Sequence, residues 1–459
     1  MKRPTSTPYL IAGLIFILLL CICLVVFISS ALAIVSRNIQ STLDENNSDT
    51  NYFTPLPTPL VIRPESFGTP LPPPSDTLTT LEDTIVPGND PRELARRLEG
   101  KMDIPATMPP PSTRLQIGEQ KSFWVSNPDT NQHSNIQATL QYITDHLYFW
   151  VENGIRFNNN DLRDLADTFE EQIYPTNRDF FGSEWTPGID GDPHLYILYA
   201  TDLGNSVAGY FSSADELPPS VHEYSNAHEM FQLNADNIGL DEQFTYGVLA
   251  HEFQHMIHWY QDRNEETWLD EGFSELASFL NGYDVGGFDY AYIRNPDLQL
   301  TNWPVDGDTG PNYGASFLFV AYFLDRFGEQ ATKSLIAHSE NGIVSVDHVL
   351  SEIGAASPDN GQPIGADDFF LDWVIASYLQ DSDVEAGQYD YDFYPGAPKP
   401  NETEKISRCP TGSQSRSVSQ YGVDYIRIDC QGEFVLNLDG STQVGVLPVD
   451  PHSGSHVFW

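Results

Sequence analysis

The stretch from residue 242 to 261 constrains the fold more than any other. At helical spacing, Leu249, Phe253, Met256 and Tyr260 fall on one narrow stripe, and His251, His255 and His258 fall on the opposite face. Such a helix packs one side on a sheet and turns the other toward a polar cleft. Asp241 and Glu242 place negative charge at its start, where the helix dipole favours it. Within it stands His251-Glu252-Phe253-Gln254-His255. Histidines four residues apart lie one turn apart on one face, so two neutral imidazoles can grip one zinc ion at about 2.0–2.1 Å each. Glu252 lies roughly 100° round the helix, off the metal but within reach of water that the metal activates, where it is placed as general base.

A second element adds weight. Glu271 follows His255 by sixteen residues, within Trp268-Leu269-Asp270-Glu271-Gly272-Phe273-Ser274-Glu275. A carboxylate on a following helix completes a two-histidine, one-glutamate set and leaves a fourth position open. These runs, HEFQHMIHW and TWLDEGFSELA, resemble the gluzincin zinc metallopeptidases, and most closely the hyicolysin family of bacterial extracellular peptidases. The resemblance implies a zincin-like fold, with His251, His255 and Glu271 as zinc ligands and Glu252 as base. Tyr313, in Pro311-Asn312-Tyr313-Gly314-Ala315, is similar to the tyrosine before a Gly-Ala step in aminopeptidases of that clan, which implies an oxyanion donor; a packing tyrosine is the alternative. The chain has no GxMEN-like sequence of the kind those aminopeptidases use to hold a substrate amino terminus, which favours an endopeptidase.

Neighbouring residues carry two readings each. Glu275, one turn beyond Glu271, is either a partner that orients a candidate ligand imidazole or a polar residue of the helix surface. Asp270 is a partner of the same kind or a helix cap, and His258 contacts the site or fills space. Met230–Asn234 is either the edge strand lining a substrate cleft or an interior strand. Asp190-Gly191-Asp192 and Asp306-Gly307-Asp308 are turns that can also bind Ca²⁺, although they lack the closing glutamate of an EF-hand. His222 and His228 read as surface or core residues.

The remaining chain places these features in an α+β fold, a sheet lobe followed by a mainly helical lobe with the histidine helix between them. Strands are expected at Phe123–Val125, Leu195–Tyr199, Gly209–Phe211 and Met230–Leu233. Helical spacing is read at 136–151, 242–261, 270–281, 314–327, 329–338 and 366–380. Residues 1–8 form a cytoplasmic stub, and residues 9–36 an apolar segment longer than the roughly 20 residues that span a bilayer. That segment is a membrane anchor that puts the rest outside, or a signal cleaved after Ala31-Leu32-Ala33, which leaves a secreted protein. Residues 37–118, rich in Pro, Thr and Ser, read as a spacer or pro-segment, interrupted by a short helix from Asp90 to Gly100. The peptidase-like domain spans 119–398. Residues 399–459 read as a β-rich domain that is cut short, with strands at Gly422–Asp429 and Glu433–Leu438. There Cys409 and Cys430 either pair, if exported, or remain thiols. The net charge of −43 argues against a nucleic-acid partner, which needs a basic patch. The functional expectation is therefore a zinc-dependent endopeptidase acting on protein or peptide outside the cytoplasm. Its rivals are a non-catalytic cell-surface binding or adhesion protein and a metal-dependent amidase on cell-wall peptides.

Overall fold

A run of alternating and continuous apolar residues builds the sheet on which the rest is laid. The computed structural model describes residues 90–430 and 435, except 285, 306, 359, 385 and 386. These belong to one unit that begins at Val86. The expected anchor or signal segment, most of the spacer, Asp306 and, apart from residue 435, the strand at 433–438 lie outside the described residues. No helix among the described residues is long and apolar enough to cross a membrane.

Six strands form one mixed sheet: β1 (Gln120–Asn127), β2 (Gln132–Ile143), β3 (Leu147–Glu152), β4 (Leu195–Ala200), β5 (Gly209–Phe211) and β6 (Met230–Asn234). Their order is β1-β2-β3-β4-β6-β5. The β3–β4 and β4–β6 pairs are parallel, and the other three are antiparallel. In β3, Leu147, Phe149 and Val151 point to one core while Tyr148 and Trp150 point to the other. A strand buried on both faces reads as a continuous apolar run, and this one does.

This corrects the helical reading of 136–151. The segment is two antiparallel strands joined at Thr144–His146, with a register irregularity between Leu140 and Tyr142. That irregularity shifts the two-residue alternation, and the shifted pattern imitates a three-to-four-residue period. Met230–Asn234 is an interior strand: β5 lies outside it and forms the edge.

Most of the helices pack on the face that carries Leu147, Phe149 and Val151. α1 (Pro91–Glu99) is the expected short helix; the Asp90 side chain caps it by accepting from the Arg92 and Glu93 amides, and Gly100 ends it. α2 (Asn159–Thr168) runs through one π-helical turn into α3 (Tyr174–Phe181). α4 (Gln243–Gln261) and α5 (Thr267–Leu280) carry the candidate site, followed by α6 (Phe288–Tyr292) and α7 (Gly310–Ile336), which breaks at Gly328 where two helices were expected to meet. α8 (Gly342–Glu352) and α9 (Ala366–Leu379) complete the helical lobe. The fold is α+β, with the sheet strands first and most helices after them. Beyond it, β7 (Glu404–Ile406) pairs in parallel with β8 (Ile426–Ile428), and Cys409 and Cys430 form a disulfide. The Tyr425 hydroxyl donates to the Val374 carbonyl at 2.8 Å, so this tail lies against α9.

α4 packs on the sheet through Phe253, which stacks on Tyr174 and meets Phe169 and Phe231 edge-on or tilted. Leu249, Phe253 and Met256 are fully buried. Tyr260 departs from the expected stripe: it is 46% exposed, one residue before the helix ends at Gln261.

Candidate active site

α4, α5 and the first turn of α7 converge on one spot. The close approach of α5 to α7 depends on Gly272, where an added Cβ would stand 2.9 Å from the Ser316 carbonyl oxygen. Gly314 plays the same part between α6 and α7, since a Cβ there would stand 2.0 Å from the Phe288 oxygen.

His251 and His255 from α4 and Glu271 from α5 meet as the spacing predicted. The two Nε2 atoms are 3.1 Å apart, and Glu271 Oε2 lies 3.1 Å from that of His251 and 3.3 Å from that of His255. Ligands about 2.05 Å from a tetrahedral ion are separated by about 3.3 Å, so this triangle fits zinc. Glu271 Oε2 is buried and has no hydrogen-bond partner among the described residues, although two ring nitrogens stand beside it. Two nitrogens and one carboxylate oxygen are also the donor chemistry that zinc takes.

Each imidazole is held from behind. Glu275 Oε1 lies 3.2 Å from His251 Nδ1. Asp270 Oδ2 lies 3.0 Å from His255 Nδ1, and its other oxygen 2.8 Å from His258 Nδ1. Ser274 Oγ adds a contact to His255 Nδ1 at 3.0 Å. A carboxylate on Nδ1 fixes the tautomer that leaves Nε2 free to bind. Of the paired readings, Glu275 and Asp270 are thus partners of the imidazoles, and Asp270 is not the cap of α5, whose N-cap is Glu266. The doubled role of Asp270 and the contact from Ser274 were not legible in the sequence. Ser274 carries one signal, its place at i+3 on the Glu271 face of α5.

The electrostatics follow from burial and charge. Burial alone would raise the Glu271 carboxyl, yet the His255 and His251 rings outweigh it and bring it down to about 2. Burial would likewise depress His251, and Glu271 and Glu275 instead raise it to about 10. Glu252 lies outside the triangle and is 8% exposed, and its pKa is raised by desolvation. Its Oε2 accepts from the Phe211 amide at 2.7 Å, on the outer edge of β5. That edge therefore faces the site.

Tyr313 lies in the first turn of α7 rather than before it, because the helix starts at Gly310. Its ring stacks on Phe288, meets Trp303 edge-on and sits 6.1 Å from that of His251. Burial, then the carboxylates of Glu271, Glu252 and Glu275, hold its hydroxyl well above the usual tyrosine range, so it stays protonated.

The other candidates lie elsewhere. Asp190 binds His228 Nδ1 at 2.6 Å, and Asp192 pairs with His194 and Tyr148. Both carboxylates are thus occupied by side chains, and neither belongs to a group of converging metal donors among the described residues. His228 is buried, stacked on Tyr196, and His222 packs edge-on against Tyr224.

Comparison with known proteins bears on this geometry. The chain is similar to the neutral metalloprotease ShpI of Staphylococcus hyicus, with 25% identity over 262 residues that cover 52% of this chain and 55% of that protein. It thus spans about half the length of the curated relative it matches. No protein-family model matches the chain.

Proposed function

We propose that this chain is a zinc-dependent endopeptidase of the gluzincin type, acting outside the cytoplasm on protein or peptide substrates. The observation that carries the reading is the triangle of His251 Nε2, His255 Nε2 and Glu271 Oε2, with Glu252 beside it and not in it. The similarity to a neutral metalloprotease supports it independently. The Cys409–Cys430 disulfide supports a location where thiols oxidise.

Held by these three atoms, zinc would act as a Lewis acid on the scissile carbonyl and lower the pKa of a water molecule toward about 7. The chain's own residues do the rest. Asp270 and Glu275 fix the imidazole planes. Glu252, one side chain away from the triangle, takes a proton from the attacking water and returns it to the leaving amine nitrogen. The protonated Tyr313 hydroxyl donates a hydrogen bond to the oxygen that gains charge. An extended peptide would lie along the outer edge of β5, where the Phe211 amide already points at Glu252, and would extend the sheet by one strand.

Hydrolysis of casein, with and without a chelator, tests the reading. Glu252→Gln should keep the metal and lose about 10²–10⁴ in turnover, the usual contribution of a general base. Full activity in that variant contradicts the mechanism, and full activity in the stripped protein contradicts the metal.

A further inference from the structure

A second set of donors stands behind the first. His258, Asp262 and Glu265 each offer one metal-ligating atom, and these atoms all lie within 4.8 Å of one another. His258 and Asp262 are one turn apart at the end of α4, where the Asp262 amide closes the helix on the His258 carbonyl at 2.7 Å. Glu265 follows in the link to α5. On each of the three residues one polar atom is buried and has no hydrogen-bond partner among the described residues: His258 Nε2, Asp262 Oδ2 and Glu265 Oε2. His258 is 1% exposed and Asp262 8%. Unpartnered buried polar atoms on three residues whose donors converge are costly, because each has lost water and gained nothing. A cation among them would satisfy all three.

The other polar atoms of His258 and Glu265 are already committed. His258 Nδ1 contacts Asp270 Oδ1 at 2.8 Å. Glu265 Oε1 accepts from the Gly342 amide at 2.7 Å, at the start of α8. His258 thus has the same backing as the two candidate ligands of the first site, a carboxylate on Nδ1 and a free Nε2. Asp270 backs both His255 and His258, so it joins the two places.

We propose that His258, Asp262 and Glu265 form a second metal site, for a divalent ion of the first transition series. One imidazole and two carboxylates suit zinc or manganese; calcium and magnesium take all-oxygen sets. The ion would clamp the link between α4 and α5 and, through Asp270, steady His255. Its role is structural, with no part in the bond-breaking step.

The test counts metal in the full chain after stripping and dialysis against Zn²⁺, and separately against Mn²⁺ and Ca²⁺. Two zinc ions per chain are expected in the parent. Asp262→Asn combined with Glu265→Gln should leave one ion, retained at the first site, with the far-ultraviolet circular dichroism of the parent and a smaller rise in melting temperature on adding metal. Glu271→Gln should also leave one ion, the one that the double variant loses. A parent that binds a single ion which the double variant retains overturns the proposal. So does a double variant that still binds two, or a second site that takes only Ca²⁺. One ion that survives Glu271→Gln and disappears in the double variant would uphold the second site and sink the first, so the two readings fail separately.

Discussion

The chemistry of the candidate site is decided by which atom of each side chain is left free. Asp270 and Glu275 occupy Nδ1 of His255 and His251, so only Nε2 remains for a metal. Replacing Asp270 by Asn should lower zinc affinity about 10–100-fold, as losing such a partner does elsewhere; unchanged affinity in a competition titration would contradict its role. Protonation makes a second residue-scale test. With no cation present, burial disfavours the His251 charge, but Glu271 and Glu275 prevail and raise its pKa to about 10. Zinc must then displace a proton, so affinity rises with pH and falls on acidification. Calorimetry at pH 7 in buffers of different protonation enthalpy should register proton release on binding, and a buffer-independent heat would refute it. The approach of His251 to His255 was legible because a helix converts sequence spacing directly into geometry; Glu271, on the next helix, was legible only through its motif. Asp270 was legible as a partner or a cap but not as the carboxylate shared by His255 and His258, since that sharing depends on a reach from α5 to α4 that no local spacing encodes.

At the scale of elements, α4 is set by aromatic packing on one side and by the close approach of α5 and α7 on the other. Phe253 is fully buried among Phe169, Tyr174 and Phe231, so Phe253→Ala should cost about 3–5 kcal/mol in denaturant unfolding. A loss under 1 kcal/mol would mean that the helix is anchored by something else. Gly272→Ala should destabilise by about 1–3 kcal/mol, since its methyl meets the backbone of α7 rather than a side chain that can turn away. A variant as stable as the parent would mean that α5 and α7 are free to separate. The long helices were readable from their period. The β2–β3 hairpin was not: the irregularity at Leu140–Tyr142 broke the alternation, and the apolar run Leu147–Val151 of β3 has no period. The outer position of β5 was hidden for a different reason, because strand order is set by pairing between segments far apart in the chain.

For the whole molecule, buried carboxyls couple stability to pH. Desolvation raises Glu229 to about 9, Glu216 to about 8 and Asp215 to about 7. Between pH 4.5 and 9 the folded state therefore holds more protons than the unfolded chain, and stability falls as pH rises through that window. Glu229→Gln keeps an acceptor for the Ile189 amide and should flatten the decline in melting temperature from pH 5 to 9; an unchanged slope would assign the decline elsewhere. The order of lobes, sheet first and helices after, was visible in the texture of the chain, because each class of element leaves its own period. The charge of −43 argues against a nucleic-acid partner but says nothing of where the strands pair.

The proposed mechanism stands on a zinc ion held by His251, His255 and Glu271 between α4 and α5, with Glu252 beside it. Anomalous diffraction at the zinc edge, from crystals of the zinc-loaded chain, tests this most directly. A peak is expected about 2.0–2.2 Å from His251 Nε2, His255 Nε2 and Glu271 Oε2, with the Glu252 carboxylate outside bonding distance. A map with no peak among those three atoms, or with Glu252 bound to the ion, would contradict it.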